Sequence, residues 1–370
     1  MSELILHIGT PKTGTTSLQN FFFDNREALV KRGVDYVQFT PQKRDVIARW
    51  RNGCFLSRYC RALHSEQPIG NQVSDYEENY QRLVNALKNN KRVLLSDENF
   101  FAFSTMACKG QIDPVKYWRG LARIIKELGV ESTTLIIYLR RQDECAVAMW
   151  KEAVKNGFSN KSIEDYINRP YIKCRLDYAS NLDAIKEAFK DSGKIIVRSY
   201  NQVASSSTAI YHDFCESLDI AWDSDFKIPK GKRNESISFD MVEALRKCKY
   251  GGAGHAREEK RVRNMLAVTL SSKHKDPRGM TIFLPGEAKA LMEQHLEGNR
   301  RIEKEYFDNQ SLFSDEFIEG SPWHPNRLRI AGYRAAFICP KLLLRSYKGS
   351  KRIKQRIRAL HKNPNNIVNK

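Results

Sequence analysis

The sequence has no long apolar run, no paired cysteine motif and no low-complexity linker before its C-terminal tail. The run at 4–8 is far shorter than the apolar core of a signal peptide, so it predicts a strand instead of a leader. The stretch at 330–344 is interrupted by Arg334, Pro340 and Lys341, which makes it too short and too charged to span a bilayer. We therefore expect a soluble, cytoplasmic, globular chain.

Closely spaced metal ligands are also missing. The eight cysteines are scattered, and none forms a C-x-x-C pair or a His/Cys cluster with the spacing of a zinc site. This pattern predicts reduced thiols, as in cytoplasmic proteins, and no metal.

Acidic residues are scarce relative to basic ones. The chain has 62 Lys and Arg against 43 Asp and Glu, which gives a formal net charge of +19. Such an excess favours anionic partners, a class that includes nucleic acids, acidic glycans, anionic lipids and polyphosphorylated cofactors. Charge alone does not choose among them.

The most informative stretch is 4–19, which reads LILHIGTPKTGTTSLQ. An apolar strand leads through a loop rich in Gly and Thr into a helix that we predict from Thr15 or Thr16 to about Lys31. The unpaired N–H groups and the dipole at the start of such a helix favour a phosphate or a sulfate. The alternative is an ordinary strand–turn–helix with chance glycines.

The position of Lys12 separates this loop from that of the nucleoside triphosphatases. Their motif, G-x-x-x-x-G-K-[ST], places a lysine directly after the second glycine, whereas Gly14 is followed here by Thr15 and Thr16. Lys12 lies near the loop apex, where it could reach the oxygen between a phosphate and a group that is transferred from it. The loop therefore indicates transfer of an anionic group.

Strands and helices alternate along the chain, which predicts a central, mainly parallel sheet covered by helices on both faces. The strands are expected at 4–8, 34–38, 92–97, 133–139 and 194–200. Ligands bind at the carboxyl ends of strands in such sheets. The candidate sites are therefore the loops that follow Ile8, Leu95, Leu139 and Val197.

The hexapeptide Pro11-Lys-Thr-Gly-Thr-Thr16 resembles the 5′-phosphosulfate loop of the sulfotransferases that use 3′-phosphoadenylyl sulfate (PAPS). Residues 136–150 resemble the family's 3′-phosphate segment, in which an arginine ends a strand. Residues 229–238 and 299–307 resemble a basic loop of the bacterial enzymes and the closing helix of the family.

This resemblance covers about residues 1–313, and it implies a P-loop-like three-layer α/β/α domain. Residues 314–370 then form a basic, partly helical extension. Lys12 is implied to stabilise the leaving phosphate and Glu98 to take the acceptor proton. The implied cofactor-binding residues are Pro11, Lys12, Thr13, Gly14, Thr15, Thr16, Ser17, Arg140, Tyr200, Lys232 and Arg233.

For the acidic pair Asp97 and Glu98 there is a structural alternative, in which Asp97 only caps a helix and Glu98 is solvated. His7 and His64 are then the next candidates for the base. In the 3′-phosphate segment Arg141 competes with Arg140, and the eighth residue after Arg140 is Ala148, where the family has a serine. Of the family's arginine and serine, we therefore transfer only the arginine to this chain, as Arg140.

Two further assignments also have structural alternatives. Tyr200 could stack on a purine or could be an ordinary core tyrosine at a strand end. In the basic loop, Lys232 and Arg233 could cover the 3′-phosphate, or Ser236 could simply cap a helix that starts at Ser238.

The tail carries much of the positive charge, because residues 326–370 contain thirteen Lys and Arg and no Asp or Glu. Ile353, Ile357 and Leu360 would align on one face of a basic helix. Such a helix suits an anionic membrane surface, which would place the protein peripherally at the inner face of the membrane, or an acidic partner. The alternative is a helix packed on the domain with a solvated basic face.

Together these features predict a sulfotransferase that uses PAPS without a metal. Its expected acceptor is a hydroxyl of a carbohydrate or glycolipid, which could be acidic. One rival is a P-loop kinase or nucleotide triphosphatase, although it would need Mg²⁺ ligands and a lysine after the second glycine. The other is a basic nucleic-acid-binding protein, but the sequence has no recognition motif for nucleic acid, so we do not expect that partner.

Overall fold

The computed structural model of the chain describes residues 2–39, 51–64, 76–101, 114–191, 193–204, 206, 208–229, 236–248, 267, 270, 274–277, 279–314 and 320–335. The chain divides into two compact units. The first consists of Met1–Cys145, Pro170–Gly231 and Met292–Glu316, and the second of Ala146–Arg169, Lys232–Leu291 and Phe317–Lys370. The predicted domain boundary after residue 313 stays a prediction.

The first unit is built on a five-stranded sheet in which every strand is parallel to its neighbours. Its strands are β1 (Glu3–His7), β2 (Val34–Asp35), β3 (Arg92–Ser96), β4 (Ser132–Leu139) and β5 (Gly193–Ser199). Their order is β2-β3-β1-β4-β5. In the register, His7 lies beside Ser96 and Ile136, so the carboxyl ends of β1 and β3 are level.

Helices cover both faces of this sheet, as the apolar runs of the strands require. Leu4 and Leu6 of β1 belong to the core on one face, and Ile5 belongs to the core on the other. The first face packs against α3 (Cys54–His64), α4 (Tyr76–Asn89), α5 (Pro114–Glu127), α9 (Tyr178–Ala188) and α14 (Leu296–Tyr306). The second packs against α1 (Thr15–Asp24), α2 (Arg26–Lys31) and α11 (Ala209–Ser217). The predicted fold class, a three-layer α/β/α domain, is confirmed.

Three shorter elements complete this part of the chain. They are a 3-10 turn (Glu98–Phe100), α8 (Pro170–Leu176) and α10 (Tyr200–Val203). Helix α6 (Gln142–Lys155) follows β4 and continues into the second unit.

The first helix is shorter than predicted, because Asn25 separates α1 from α2. The Asn25 amide donates to the carbonyl of Phe21 and to the distant carbonyl of Lys227, both at 2.8 Å. Its Oδ1 accepts from the N–H of Lys227 at 2.6 Å. The break is therefore fixed by a contact 202 residues away along the chain. Strand β2 is also shorter than the predicted 34–38.

The second unit contains α7 (Ile163–Ile167), α12 (Phe239–Lys247), α13 (Glu287–Glu293, whose last residues belong to the first unit), the paired strands β6 (Met280–Thr281) and β7 (Ser321–Pro322), and a helical stretch at 327–335. The cap of α12 is Ser238, which accepts from the N–H of Met241, so the predicted cap at Ser236 is wrong. Asp276 accepts from the N–H of Phe239 at 3.0 Å and from Lys151 at 3.1 Å, and this fixes the start of the helix.

Within the described ranges, no helix is both long and apolar enough to cross a bilayer. The same residues hold no cluster of three or more His, Cys, Asp or Glu side chains arranged for a metal ion. Six of the eight cysteines fall in this part of the chain, and all six are free thiols.

Candidate functional site

The loop between β1 and α1 has an unusual backbone. Gly14, the residue before α1, has a φ of 75°, and Lys12 has a φ of 70° although it carries a side chain. Holding a residue other than glycine in this left-handed region costs about 1–3 kcal/mol, and such strain concentrates at functional sites. Because the residue before α1 is Gly14, no side chain at that position occupies the first N–H groups of the helix.

Hydrogen bonds to the loop explain how this backbone is held. The Thr10 hydroxyl donates to the carbonyl of Tyr138 at 2.7 Å, and the Thr13 hydroxyl donates to the carbonyl of Thr10, also at 2.7 Å. Arg140 Nη1 donates to the Lys12 carbonyl at 3.2 Å. The Thr13 hydroxyl is thus used inside the loop, and Thr13 could contact an anion only through its backbone N–H.

Thr15 and Ser17 differ in their surroundings. Thr15 is 3% exposed, and its hydroxyl has no hydrogen-bond partner within the described part of the chain. Ser17 is exposed, and its side chain is hydrogen-bonded to Tyr211. Thr16 is half-buried, and its carbonyl accepts from Asn20. Of the predicted loop hydroxyls, that of Thr15 is the buried one with an unused hydrogen-bonding capacity.

The acidic pair follows β3. Asp97 is fully buried, accepts from Ser57 at 2.5 Å and caps the 3-10 turn by accepting from the Asn99 N–H at 3.1 Å. Glu98 keeps 30% of its side chain exposed. Asp97 is therefore the structural member of the pair, as in one of the two sequence interpretations.

The positive charge of Lys12, in the loop, acts on the pKa of Glu98. Burial raises the pKa of Glu98 above its ordinary value, and the positive charges of Arg51 and Lys12 oppose that effect. Arg51 Nη1 lies 3.4 Å from Glu98 Oε1. A carboxylate that is partly desolvated and close to a lysine can accept a proton from a bound hydroxyl group.

The segment from Arg51 to Gly53 contributes to the site, although the sequence did not predict a role for it. Asn52 is buried, donates to the carbonyls of Val37 and Leu94, and accepts from the N–H of Ser96 at 2.7 Å. These bonds hold Arg51 against the acidic pair. The only local signal was the Asn-Gly dipeptide before a helix, which marks a turn but not a charge partner.

At the end of β4 the two arginines have different partners. Arg141 forms a forked pair with Asp143, at 3.0 and 2.6 Å. Arg140 contacts the loop through Lys12, and its other nitrogens donate to Glu144 at 3.0 and 2.9 Å. Arg140 therefore contacts the loop between β1 and α1, here called the anion loop. Its assignment to the site in preference to Arg141 stays a prediction.

Tyr200 also lies against the loop, although it begins α10 instead of ending the strand. A Cβ placed on Gly14 would be 3.3 Å from the Tyr200 ring and 2.8 Å from Ile210. The Arg140 guanidinium lies 5.6 Å from the centre of the Tyr200 ring. The ring thus forms a wall between the arginine and the start of α1.

A buried amide pair anchors the closing helix beside this site. Gln142 donates to Asn299 at 2.7 Å, and Asn299 donates back at 3.2 Å. The pair joins the start of α6, directly after the arginines, to α14. This gives a physical role to the 299–307 segment that the resemblance singled out.

The other residues named from the sequence have separate outcomes. Lys232, Arg233 and the tail beyond residue 335 lie outside the described residues, as does the His64 side chain. Ala148 lies on α6 and brings no hydroxyl. His7 is fully buried, and burial lowers its pKa to about 3, so it is not a candidate for the base that contacts the acceptor.

The sequence and the fold were compared with known proteins. No family model matches the sequence. A protein of Archaeoglobus fulgidus that is described as uncharacterized is 29% identical over 198 residues, which are 52% of each chain, so the chain spans about half the length of this curated relative. A crystal structure of a sulfotransferase from Alicyclobacillus acidocaldarius aligns over 74% of this chain and 96% of its own, with 14% identity and a TM-score of 0.36.

Proposed function

We propose that the chain is a sulfotransferase that moves a sulfuryl group from PAPS to a hydroxyl of a carbohydrate or glycolipid. The observation that carries this proposal is the grouping of Lys12, Glu98 and Arg140 at three adjacent strand ends around one strained loop. A cation at the loop apex, a carboxylate with a raised pKa and an arginine beside the loop are the groups that such a transfer needs.

The loop fits the 5′-phosphosulfate of the donor. The first N–H groups of α1 can donate to phosphate or sulfate oxygens, and so can the Thr15 hydroxyl, which has no partner within the described residues. In this proposal Arg140 binds the 3′-phosphate, and Tyr200 lies against the adenine. PAPS supplies the activated sulfuryl group when it is bound.

Within this proposal the residues have separate roles. Lys12 neutralises charge on the phosphate oxygen from which the sulfuryl group leaves. Glu98 accepts the proton of the attacking hydroxyl, which is why its raised pKa matters. Arg51 holds Glu98 in place while Asp97 holds Arg51, since Arg51 Nε lies 3.8 Å from Asp97 Oδ1. Lys232 and Arg233 stay predicted lid residues, and peripheral membrane contact through the tail stays a prediction.

The proposal is tested by incubating the protein with ³⁵S-labelled PAPS and a panel of neutral and acidic oligosaccharides, glycolipids and tyrosine peptides. We expect label on a carbohydrate or glycolipid hydroxyl. A parallel panel uses γ-³²P-labelled ATP with Mg²⁺. Phosphoryl transfer from ATP, with no transfer from PAPS, would establish the kinase alternative instead.

The assignment of Arg140 makes a separate prediction about nucleotide preference. The wild type is expected to bind 3′-phosphoadenosine 5′-phosphate more tightly than adenosine 5′-phosphate, which lacks the 3′-phosphate. Arg140→Ala should reduce the ratio of the two affinities by about 10- to 100-fold, the range expected for hydrogen bonds to a charged group. Isothermal titration calorimetry measures both affinities.

Arg141→Ala is the matched control, because both arginines pair with a carboxylate of α6 but Arg140 also donates to the Lys12 carbonyl of the loop. It should leave the ratio unchanged. If Arg141→Ala removes the preference and Arg140→Ala does not, the two roles are exchanged. Equal binding of both nucleotides by the wild type would remove the 3′-phosphate site.

A further inference from the structure

The proposed function leaves His7 without a role, although its surroundings are unusual for an imidazole. His7 ends β1, directly before the anion loop, and it is fully buried. The rings of Phe22, Tyr138 and Phe214 surround it edge-on at centroid distances of 6.1, 6.0 and 5.7 Å. Such burial keeps the ring neutral, with its pKa lowered to about 3. A polar ring in an aromatic core loses free energy unless its nitrogens are hydrogen-bonded.

One nitrogen of His7 has a partner, and that partner lies on the strand that carries the base. His7 Nδ1 is 2.8 Å from Ser96 Oγ. Ser96 is the register neighbour of His7 and directly precedes Asp97 and Glu98. The imidazole therefore links the end of β1, where the anion loop begins, with the end of β3.

The other nitrogen faces the anion loop without a partner. Within the described part of the chain, neither His7 Nε2 nor the Thr15 hydroxyl makes a hydrogen bond. Both border the space beside Gly9, since a Cβ built on Gly9 would lie 3.2 Å from His7 Nε2 and 2.7 Å from Thr15 Oγ1. The nearby Thr13 hydroxyl is already used on the Thr10 carbonyl. Glycine at position 9 thus leaves space beside two buried polar atoms that have no partner within the described residues.

Two unpartnered polar atoms beside an anion-binding loop indicate an arrangement that is completed when the anion binds. A neutral imidazole has one N–H, so a proton on Nε2 requires Nδ1 to accept from the Ser96 hydroxyl. Nε2 can then donate to Thr15 Oγ1 once the anion is bound, a hydrogen bond that the described residues do not make without it. A threonine hydroxyl that accepts in this way must direct its own hydrogen elsewhere, and the anion above the start of α1 is the available acceptor.

We infer that His7 is a positioning residue that acts through Thr15. In this arrangement Ser96 donates to His7, His7 donates to Thr15, and Thr15 donates to the bound phosphate or sulfate oxygen. The inference rests on the proposed function in one respect, namely that the loop holds the anionic group of the donor. It adds a buried imidazole and a serine of β3 to the machinery that fixes this group.

The first test is a double-mutant cycle on affinity for 3′-phosphoadenosine 5′-phosphate, measured by calorimetry. Thr15→Val removes the hydroxyl with little change in shape, and His7→Phe removes both ring nitrogens within an aromatic core. Each single variant should bind about tenfold more weakly, and the double variant should bind no more weakly than either one, because both changes remove the same chain of hydrogen bonds. Multiplying losses in the double variant would overturn the inference.

Thr133→Val is the matched control for Thr15→Val. Thr133 is also buried, and its hydroxyl has no partner in the part of the chain that the structure describes, but it lies near the amino end of β4, far from the loop along the strand. This change should leave the affinity unaltered. His7→Gln, which retains an N–H donor, should recover affinity relative to His7→Phe. If His7→Gln and His7→Phe bind equally, or if His7→Phe matches the wild type, His7 does not act on the anion.

The second test needs no substitution, so it remains informative even if His7→Phe does not fold. Long-range ¹H–¹⁵N spectra of the wild type report which ring nitrogen of His7 carries the proton. We expect the Nε2–H tautomer, with the Nε2 resonance shifting when the nucleotide binds. A proton on Nδ1, or an Nε2 resonance that is unchanged by the nucleotide, would contradict the inference.

Failure of the proposed function is distinguishable from failure of this inference. If the wild type binds inorganic sulfate but not 3′-phosphoadenosine 5′-phosphate, the proposed donor is wrong, and the same cycle and spectra are recorded with sulfate. If it binds neither ligand, both the donor and the inference are wrong. If it binds the nucleotide and the cycle is additive, only the inference is wrong.

Discussion

Replacing Lys12 by alanine is expected to lower sulfuryl transfer by about 10²–10³-fold, the loss typical of removing one preorganised group that stabilises developing charge. The reason is that Lys12 lies at the apex of the loop and acts electrostatically on Glu98, the proposed base. The side chain is only half-buried, so the variant should stay folded, with a melting temperature lowered by less than about 2 °C. Transfer rates and thermal melts are measured on the same preparations.

The left-handed backbone at Lys12 provides controls for this experiment. Alanine keeps the strain of the φ of 70°, whereas glycine adopts that angle without it. Lys12→Gly should therefore be at least as stable as Lys12→Ala and equally slow, while Lys12→Arg, which keeps the charge, should recover part of the rate. Unchanged turnover in Lys12→Ala, or loss of turnover that follows unfolding, would count against the assigned role.

Glu98→Gln is expected to reduce transfer by about 10²–10⁴-fold, as is typical when a general base is removed. Glutamine keeps the shape of the side chain and removes its negative charge. The affinity for 3′-phosphoadenosine 5′-phosphate should stay close to that of the wild type, because Glu98 contacts the acceptor hydroxyl and not the nucleotide. Single-turnover rates and calorimetry separate these two quantities.

The pH dependence of the rate gives a second measurement on Glu98. Because burial raises its pKa, the wild type should lose activity as the pH falls through a value above the ordinary 4.5 of a glutamate. The ionised form is the active one, so activity is present above this pKa and lost below it. Glu98→Asp, which keeps a carboxylate, should show an acidic limb at a lower rate, whereas Glu98→Gln should show none.

The thermal stability of Glu98→Gln is the control for its rate. A carboxyl group whose pKa is raised by folding contributes stability at low pH, and that contribution is lost as the pH rises through the folded value. Ionised Glu98 therefore does not stabilise the fold at neutral pH, and Arg51 keeps Asp97 as a partner in Glu98→Gln. The variant should melt near the wild type. A variant that keeps its rate but melts much earlier would make Glu98 a structural residue.

The sheet could be predicted from sequence because its strands are short apolar runs separated by helical patterns. For β1, β3 and β4 the observed bounds lie within a residue or two of those predicted. Parallel topology then brings the loops after these strands to the same edge, so Lys12, Glu98 and Arg140 could be grouped from the sequence alone. Local pattern and a general rule of sheets were sufficient for this step.

Contacts between distant segments could not be predicted in this way. The break at Asn25 depends on Lys227, and the position of Arg51 depends on the bonds of Asn52 to β3 and to the Val37 carbonyl. The hydrogen-bond partners of the loop hydroxyls could not be predicted from the sequence either. Thr13 and Thr15 are equivalent in the motif, but the first donates to the loop itself and the second has no partner within the described residues. Such differences arise only when the backbone geometry of the loop is fixed.

The central claim is that the loop serves a 3′-phosphorylated nucleotide and not a nucleoside triphosphate. The most direct measurement is a calorimetric titration of the wild type with 3′-phosphoadenosine 5′-phosphate, compared with a titration with ATP plus Mg²⁺. We expect saturable binding of the first nucleotide at micromolar or lower concentration and much weaker binding of the second. Tight binding of ATP with Mg²⁺, together with no binding of 3′-phosphoadenosine 5′-phosphate, would contradict the account.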